Sequence, residues 1–304
     1  MDHDRRTFLA TLGAAALGVS RPGALAALTG GISGKAKLSR IGIQLYTVRR
    51  AATTDLAGTL ARLAAIGFKE VELAGYYNHS AADFRDLLKR NGLAAPSGHI
   101  AIELIENDPA RTFADAHTVG HEWVTVPSLP RGKHESEDDW KHVAAQFNAA
   151  ATKAKAEGFR FAFHNHNDIV RTQNGILPIE ILMRETDPAL VFYEMDIYWA
   201  VSGGSDPLAL LAKYPGRFKM FHVKDGKPPY TDASQTDLGQ GTIDFKSIFA
   251  KVQSCASTNR ARGCESPKGG ARTTIEHYFM ESDSAADPLL FAESGYKYLA
   301  NLEY

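Results

Sequence analysis

Four short segments in the second half of this 304-residue chain constrain its fold more than anything else in it. They are 161–167 (FAFHNHN), 191–199 (VFYEMDIYW), 218–225 (FKMFHVKD) and 274–283 (TIEHYFMESD). Each reads as a buried strand that ends in His, Asp or Glu. Burying an unpaired charge is expensive, so a strand carries such side chains only where they meet partners. Four of them predict one shared site. Catalytic side chains converge from several strand ends at the carboxyl-end face of a (β/α)8 barrel.

The rest of the chain supports that α/β architecture. Strand-like runs at 41–45, 71–73, 94–100, 123–127, 159–166, 190–196, 218–223 and 274–281 alternate with helix-like runs. The helical runs are 56–66, 80–91, 108–119, 135–157, 176–185, one opening at 206, then 245–254 and 287–301. Ser80 caps the second helix and Gly92 stops it, and Pro109 falls in the first turn of the third. The strands read apolar throughout, as in a parallel sheet covered by helices. Eight such units favour closure into a barrel over an open sheet, and 38–304 has the length one barrel needs. No G-x-G-x-x-G follows the first strand and no Walker-type loop occurs, so a nucleotide-binding domain has little support.

The formal net charge is −1 and the charges are scattered, which leaves no electrostatic case for nucleic acid or an anionic membrane surface. Residues 1–30 read as a signal rather than fold: a twin-arginine pattern at 4–9 (DRRTFL), an apolar run at 9–19 and a small-residue exit site at 24–26 (ALA). The apolar run is too short to span a bilayer comfortably. The expectation is a periplasmic protein with no membrane anchor after cleavage; an amphipathic first helix is the alternative. Cys255 and Cys264 would then meet an oxidising compartment, as a local disulfide or as two free thiols. Around them, 254–272 is low in complexity and reads as a surface loop or insertion, disordered by composition.

Side chains two apart on a strand face the same way. His164 therefore pairs with His166, Glu194 with Asp196, His222 with Lys224, and Glu281 with His277, Phe279 and, in a longer strand, Asp283. Imidazole mixed with carboxylate suits a divalent cation such as Mn, Zn, Co or Fe. A lone buried His is more often a hydrogen-bonded core residue, but its recurrence beside carboxylates at successive strand ends reverses that reading. Glu194 could be a general base, a partner behind His222 or His164, or a salt-bridged barrel residue. Lys224 could pair with Asp225 or reach a substrate oxygen. In the first half Gln44, Tyr46, Glu72 and His99 end their strands and could shape the pocket wall.

The segments HNHND, EMDIYW, GRFKMFHVKD, LGQGTIDF and HYFMESD resemble the sugar phosphate isomerase/epimerase superfamily, built on a xylose isomerase-like TIM barrel. The resemblance covers roughly 38–304 and is nearest to a branch exported by the twin-arginine route. It implies one divalent metal (Mn, Zn, Co, Fe or Mg) held by Glu, Asp, His and Glu from the last four strands. Asp196, His222 and Glu281 match three of those ligands. His164 stands where the family has its Glu, as a ligand or as a hydrogen-bond partner of a carboxylate or the substrate. His166 stands where related dehydratases place a His that acts on substrate. Glu276 is expected at the start of its strand, away from the mouth.

The implied activity is isomerisation or epimerisation of a small-molecule carbohydrate by proton transfer through an enediolate. His166, Glu194 and Lys224 are the catalytic candidates, and His99, Trp199 and Gln44 the substrate-binding ones. Trp199 and Tyr198 could instead be core. A leaving group β to the carbonyl would turn the same chemistry into a lyase acting on a 3-keto-glycoside, and export favours an unphosphorylated substrate. Two rivals are an endonuclease IV-like nuclease and a non-catalytic periplasmic sugar-binding barrel. Charge, export and the lack of extra His ligands oppose the first; His164 in place of Glu keeps the second open. Oligomerisation is left open.

Overall fold

Eight parallel strands close into a barrel in the computed structural model, which describes residues 36–257 and 272–304. The strands are β1 Gly42–Gln44, β2 Glu70–Leu73, β3 Ala94–His99, β4 Trp123–Val126, β5 Arg160–His164, β6 Val191–Asp196, β7 Phe218–Val223 and, after a short antiparallel pair β8 Asp225–Gly226 and β9 Gln235–Thr236, β10 His277–Met280. Around the barrel the order is β1-β10-β7-β6-β5-β4-β3-β2, so neighbours in sequence are neighbours in space.

Helices fill the connections for local reasons. Leu56–Ile66 buries Leu56, Leu60 and Leu63, one stripe at helical spacing. Its first turn is held by the Asp55 carboxylate accepting from the Gly58 amide. Ser136 and Asp139 form a reciprocal capping box at the start of Glu137–Ala156. Four short α-helices, Arg49–Thr54, Ile102–Asn107, Asn167–Val170 and Ile197–Ser202, add to the runs that the sequence predicts.

The barrel interior is layered. At the amino-end, Glu70 accepts from His277 Nδ1 at 2.9 Å and from Arg40 at 3.1 Å. Above lies an apolar plug of Trp123, Ala162, Met220 and Phe279. The Phe279 ring lies against Gly42 where a Cβ would collide with it, which explains a glycine in β1. The plug makes the barrel a packed core rather than a pore. Polar groups gather on its carboxyl-end side.

β5 stops two residues earlier than the sequence predicts, and β6 stops at the predicted residue but runs straight into a helix. β5 ends at His164, so His166 lies beyond it as the residue preceding helix Asn167–Val170. β6 ends at Asp196, whose carboxylate accepts the Trp199 amide at 2.9 Å and starts helix Ile197–Ser202. The segment 191–199 is therefore half strand and half helix, because an Asp is as good a helix cap as a strand-end ligand. The register slips between Glu70 and Glu72 and between Tyr193 and Glu194, irregularities that re-aim side chains beside a site. The signal-like residues 1–30 lie outside the described residues, as do Cys264 and most of 254–272. Cys255 is disulfide-bonded.

Candidate metal centre

Strand pairing sets His164 beside Glu194 and Asp196 beside His222. His164, Asp196, His222 and Glu281 are all at most 4% exposed. Donor atoms of Asp196, His222 and Glu281 lie within 4.8 Å of one another, and His222 Nδ1 is 3.0 Å from Glu281 Oε2. His164 Nε2 is 4.0 Å from Asp196 Oδ2. Three of the predicted donors, Asp196, His222 and Glu281, thus come together from β6, β7 and the residue after β10, with His164 on β5 next to Asp196.

Behind them stands a second tier of carboxylates. His164 Nδ1 is 3.1 Å from Glu194 Oε2. His222 Nε2 is 2.6 Å from Glu72 Oε2 and 3.1 Å from Glu194 Oε2. His164 therefore has Nδ1 engaged by Glu194 and Nε2 turned toward Asp196, while His222 has Nε2 engaged by Glu72 and Nδ1 by Glu281. Metal-ligating histidines show this arrangement, since the carboxylate fixes the tautomer and raises ligand basicity. Glu72 is itself held by Gln44 Nε2 at 2.7 Å and Ser97 Oγ at 2.6 Å. His99 Nε2 sits 3.2 Å from both Glu72 and Glu194. An overlapping set, His99, His164, Glu194 and His222, also has donor atoms within 4.8 Å.

The donors fit a divalent cation on a specific observation: Asp196 Oδ2 is buried and has no hydrogen-bond partner. Lys224 Nζ lies 3.1 Å away, close enough for ionic attraction without hydrogen-bond alignment. An unsatisfied buried acceptor costs about 1–3 kcal/mol, more when charged. A cation bound there would remove that cost.

The electrostatics divide the imidazoles. Burial disfavours a charge on His222, but Glu194 and Glu281 hold its pKa well above the usual value. Burial likewise opposes charge on His99, yet Glu72 and Glu194 raise it to about 9. His164 is driven well below the ordinary range by burial and by the His222 charge. His166 is lowered by burial and then by Lys224, so it is neutral at pH 7. Burial lifts Asp196 to about 6 against the pull of Lys224 and His222. Glu281 stays well below its usual value, because Lys224 and His222 outweigh its burial.

A cavity of about 490 Å³ opens above this cluster. His99, His164, His166, Glu281 and Asp283 line one part of it. Tyr46, Ala74, Ala101, Leu104 and Pro127 line another. Several predicted roles need correction. Gln44 is fully buried with its amide on Glu72, so it braces a brace instead of touching substrate. Trp199 is 7% exposed and packs beside His166 and Lys224 without lining the cavity. Glu194 is fully buried with Oε2 among three imidazoles, which makes it a positioning carboxylate and not the proton-moving base. Lys224 is 1% exposed and paired with Glu281 at 2.8 Å and Asp283 at 2.6 Å, so it neutralises the acidic cluster instead of reaching substrate. Glu276 is at the barrel's other end, paired with Arg160 at 2.7 Å. Sequence reasoning missed Glu72 as a brace and Leu104 as a wall. An acidic residue repeated in a strand otherwise buried (Glu70 and Glu72 in EVEL) was the available signal for the first.

Comparison with known proteins agrees with this architecture. A family model described as a xylose isomerase-like TIM barrel matches residues 60–281. An inosose dehydratase from Clostridium tetani is 31% identical over 131 residues, covering 38% of this chain and 43% of that enzyme. The chain therefore spans less than half the length of that relative in the matched region. An inosose dehydratase from Geobacillus kaustophilus is 25% identical over 231 residues, covering 64% of this chain and 74% of that enzyme. Among solved structures, a sugar phosphate isomerase/epimerase from Parabacteroides distasonis superposes with a TM-score of 0.69 at 24% identity, covering 90% of this chain and 97% of that one. The IolI protein with a bound zinc atom gives 0.64 at 13%, covering 85% and 95%. These structural likenesses show the fold. With the family match running from the helix after β1 to the end of the last barrel strand, the chain belongs to the xylose isomerase-like TIM barrel family.

Proposed function

We propose that this chain is a metal-dependent enzyme that moves a proton on a carbon beside the carbonyl of a sugar or sugar derivative, giving an isomer or epimer. The carrying observation is the paired bracing: His164 by Glu194 and His222 by Glu72, each with its other nitrogen turned toward Asp196 and Glu281. Two imidazoles and two carboxylates suit Mn, Zn, Co or Fe, with Mg the poorest match to nitrogen donors. When bound, a divalent cation there supplies Lewis-acid polarisation of adjacent hydroxyl and carbonyl oxygens.

The chain's own residues do the rest. His166 lines the cavity and is neutral at pH 7, so it can accept the proton from carbon. His99 lines the same cavity and carries positive charge, placed to stabilise an enediolate. Glu72 and Glu194 hold the ligand imidazoles in orientation and keep their outer nitrogens basic. Fold relatives support the reading: one binds zinc and another is named a sugar phosphate isomerase/epimerase.

A second reading is favoured by the relatives named inosose dehydratase. With a leaving group β to the carbonyl, loss of the same proton expels it, and the enzyme is a lyase acting on a 3-keto-glycoside. The test is incubation of metal-loaded protein with sugars and 3-keto-glycosides in D₂O containing Mn²⁺. Solvent deuterium at one ring carbon supports proton transfer, and appearance of a freed aglycone selects the lyase. Absence of both across the panel removes the reading.

We also propose that residues 1–30 direct export and are removed, which places the barrel in the periplasm and favours unphosphorylated substrates. The Cys255 disulfide supports an oxidising compartment. Amino-terminal sequencing of protein from a periplasmic fraction should begin near residue 27; a cytoplasmic protein with an intact start would contradict this.

A further inference from the structure

Large apolar side chains rarely stand exposed without cause when they gather at a cavity. Among the described residues the exposed large hydrophobics are Tyr46 at 42%, Leu104 at 53% and Leu290 at 61%, and the first two line the same cavity. Each is held in place. Ile102 and Ile105 are buried, which turns Leu104 outward from the short helix they share. Arg49 covers Tyr46, its guanidinium carbon 4.0 Å from the ring centroid. The same guanidinium donates to the Tyr46 carbonyl at 2.7 Å and to the Asp283 carbonyl at 2.9 Å, tying the ring to the polar part of the cavity. Pro127, Ala74 and Ala101 extend the apolar wall. The cavity volume of about 490 Å³ falls in the range that takes a drug-sized molecule, more than one sugar ring needs.

We propose that the wall formed by Tyr46, Leu104 and Pro127 is a subsite for an apolar, aromatic group carried by the sugar, so that the substrate is an aryl glycoside or its keto form. This rests on the reading that the polar part of the cavity takes the sugar. The ring oxygens meet the His164 and Glu281 side of the cavity, and the aryl group lies against Leu104 and the open edge of Tyr46.

The test is equilibrium binding, which needs no turnover. Metal-loaded wild type and Leu104→Ser are titrated with methyl and phenyl glucosides and their 3-keto forms. Leu104 is exposed, so the variant keeps its fold. The phenyl ligands should bind wild type about tenfold more tightly than the methyl ligands, the effect of burying one ring face. Leu104→Ser should remove most of that preference while leaving methyl-ligand affinity and metal content unchanged. Equal affinity of methyl and phenyl ligands in wild type, equal weakening of both in the variant, or no binding of either overturns the proposal. So does a dimer in sedimentation that Leu104→Ser dissociates, because the patch would then be an interface. A phenyl preference without deuterium exchange keeps the subsite and removes the proton-transfer reading; exchange without the preference does the reverse.

Discussion

The two halves of the barrel mouth are built from different materials. β6, β7 and the end of β10 bring Asp196, His222 and Glu281 into one buried cluster, and β5 sets His164 4.0 Å from Asp196. The segments following β1 to β4 contribute Tyr46, Ala74, Ala101, Leu104 and Pro127, an apolar wall. One half holds charge and the other holds shape. The division is incomplete in an informative way, because the first half sends Glu72 and His99 across the barrel axis to His222 and Glu194. The chemistry of the second half is therefore oriented by the first.

Four experiments break or sharpen that contrast. The largest effect belongs to the donors: His222→Ala or Glu281→Ala should abolish metal binding and lower deuterium exchange more than about a thousandfold. Metal analysis and exchange rates check this, with circular dichroism confirming a folded barrel. Next, His166→Asn should lower exchange by about 10²–10⁴ while metal content is unchanged, since His166 moves a proton and holds no cation.

Third, Glu72→Gln tests whether the first half truly orients the second. It touches no cation, yet metal affinity should fall about 10–100-fold. An unchanged affinity would make Glu72 a wall residue only.

The smallest effect is a slope. His222 holds its proton in the metal-free protein because Glu194 and Glu281 raise its pKa. Metal binding at Nδ1 must release that proton, so affinity should rise with pH, roughly tenfold per unit for each proton displaced. Below pH 6 the slope should steepen, because Asp196 with a pKa of about 6 must also ionise. Calorimetry in buffers of different ionisation enthalpy counts the protons.

The contrast also explains what the sequence made legible. Asp196, His222 and Glu281 could be read because each follows an apolar run within its own strand. Glu72 could be read as a strand-end residue but not as a brace, because its partner His222 lies 150 residues away and only barrel closure makes them neighbours. Gln44 ends its strand, as a pocket residue would, but the strand's inner face carries it onto Glu72. Asp196 doubles as a helix cap, which hid the helix that follows β6 and carries Trp199 away from the mouth. Leu104 sits in a helix of six residues too short to show periodicity. The eight βα units themselves were visible because strand-like and helix-like runs alternate along 38–304.

An anomalous-difference map from crystals grown with Mn²⁺ bears most directly on the whole account. A single peak bonded to His164, Asp196, His222 and Glu281, with Glu72 and Glu194 outside its coordination sphere, is the expected result. A peak coordinated by His99 and Glu194, or no peak at saturating Mn²⁺, would contradict it.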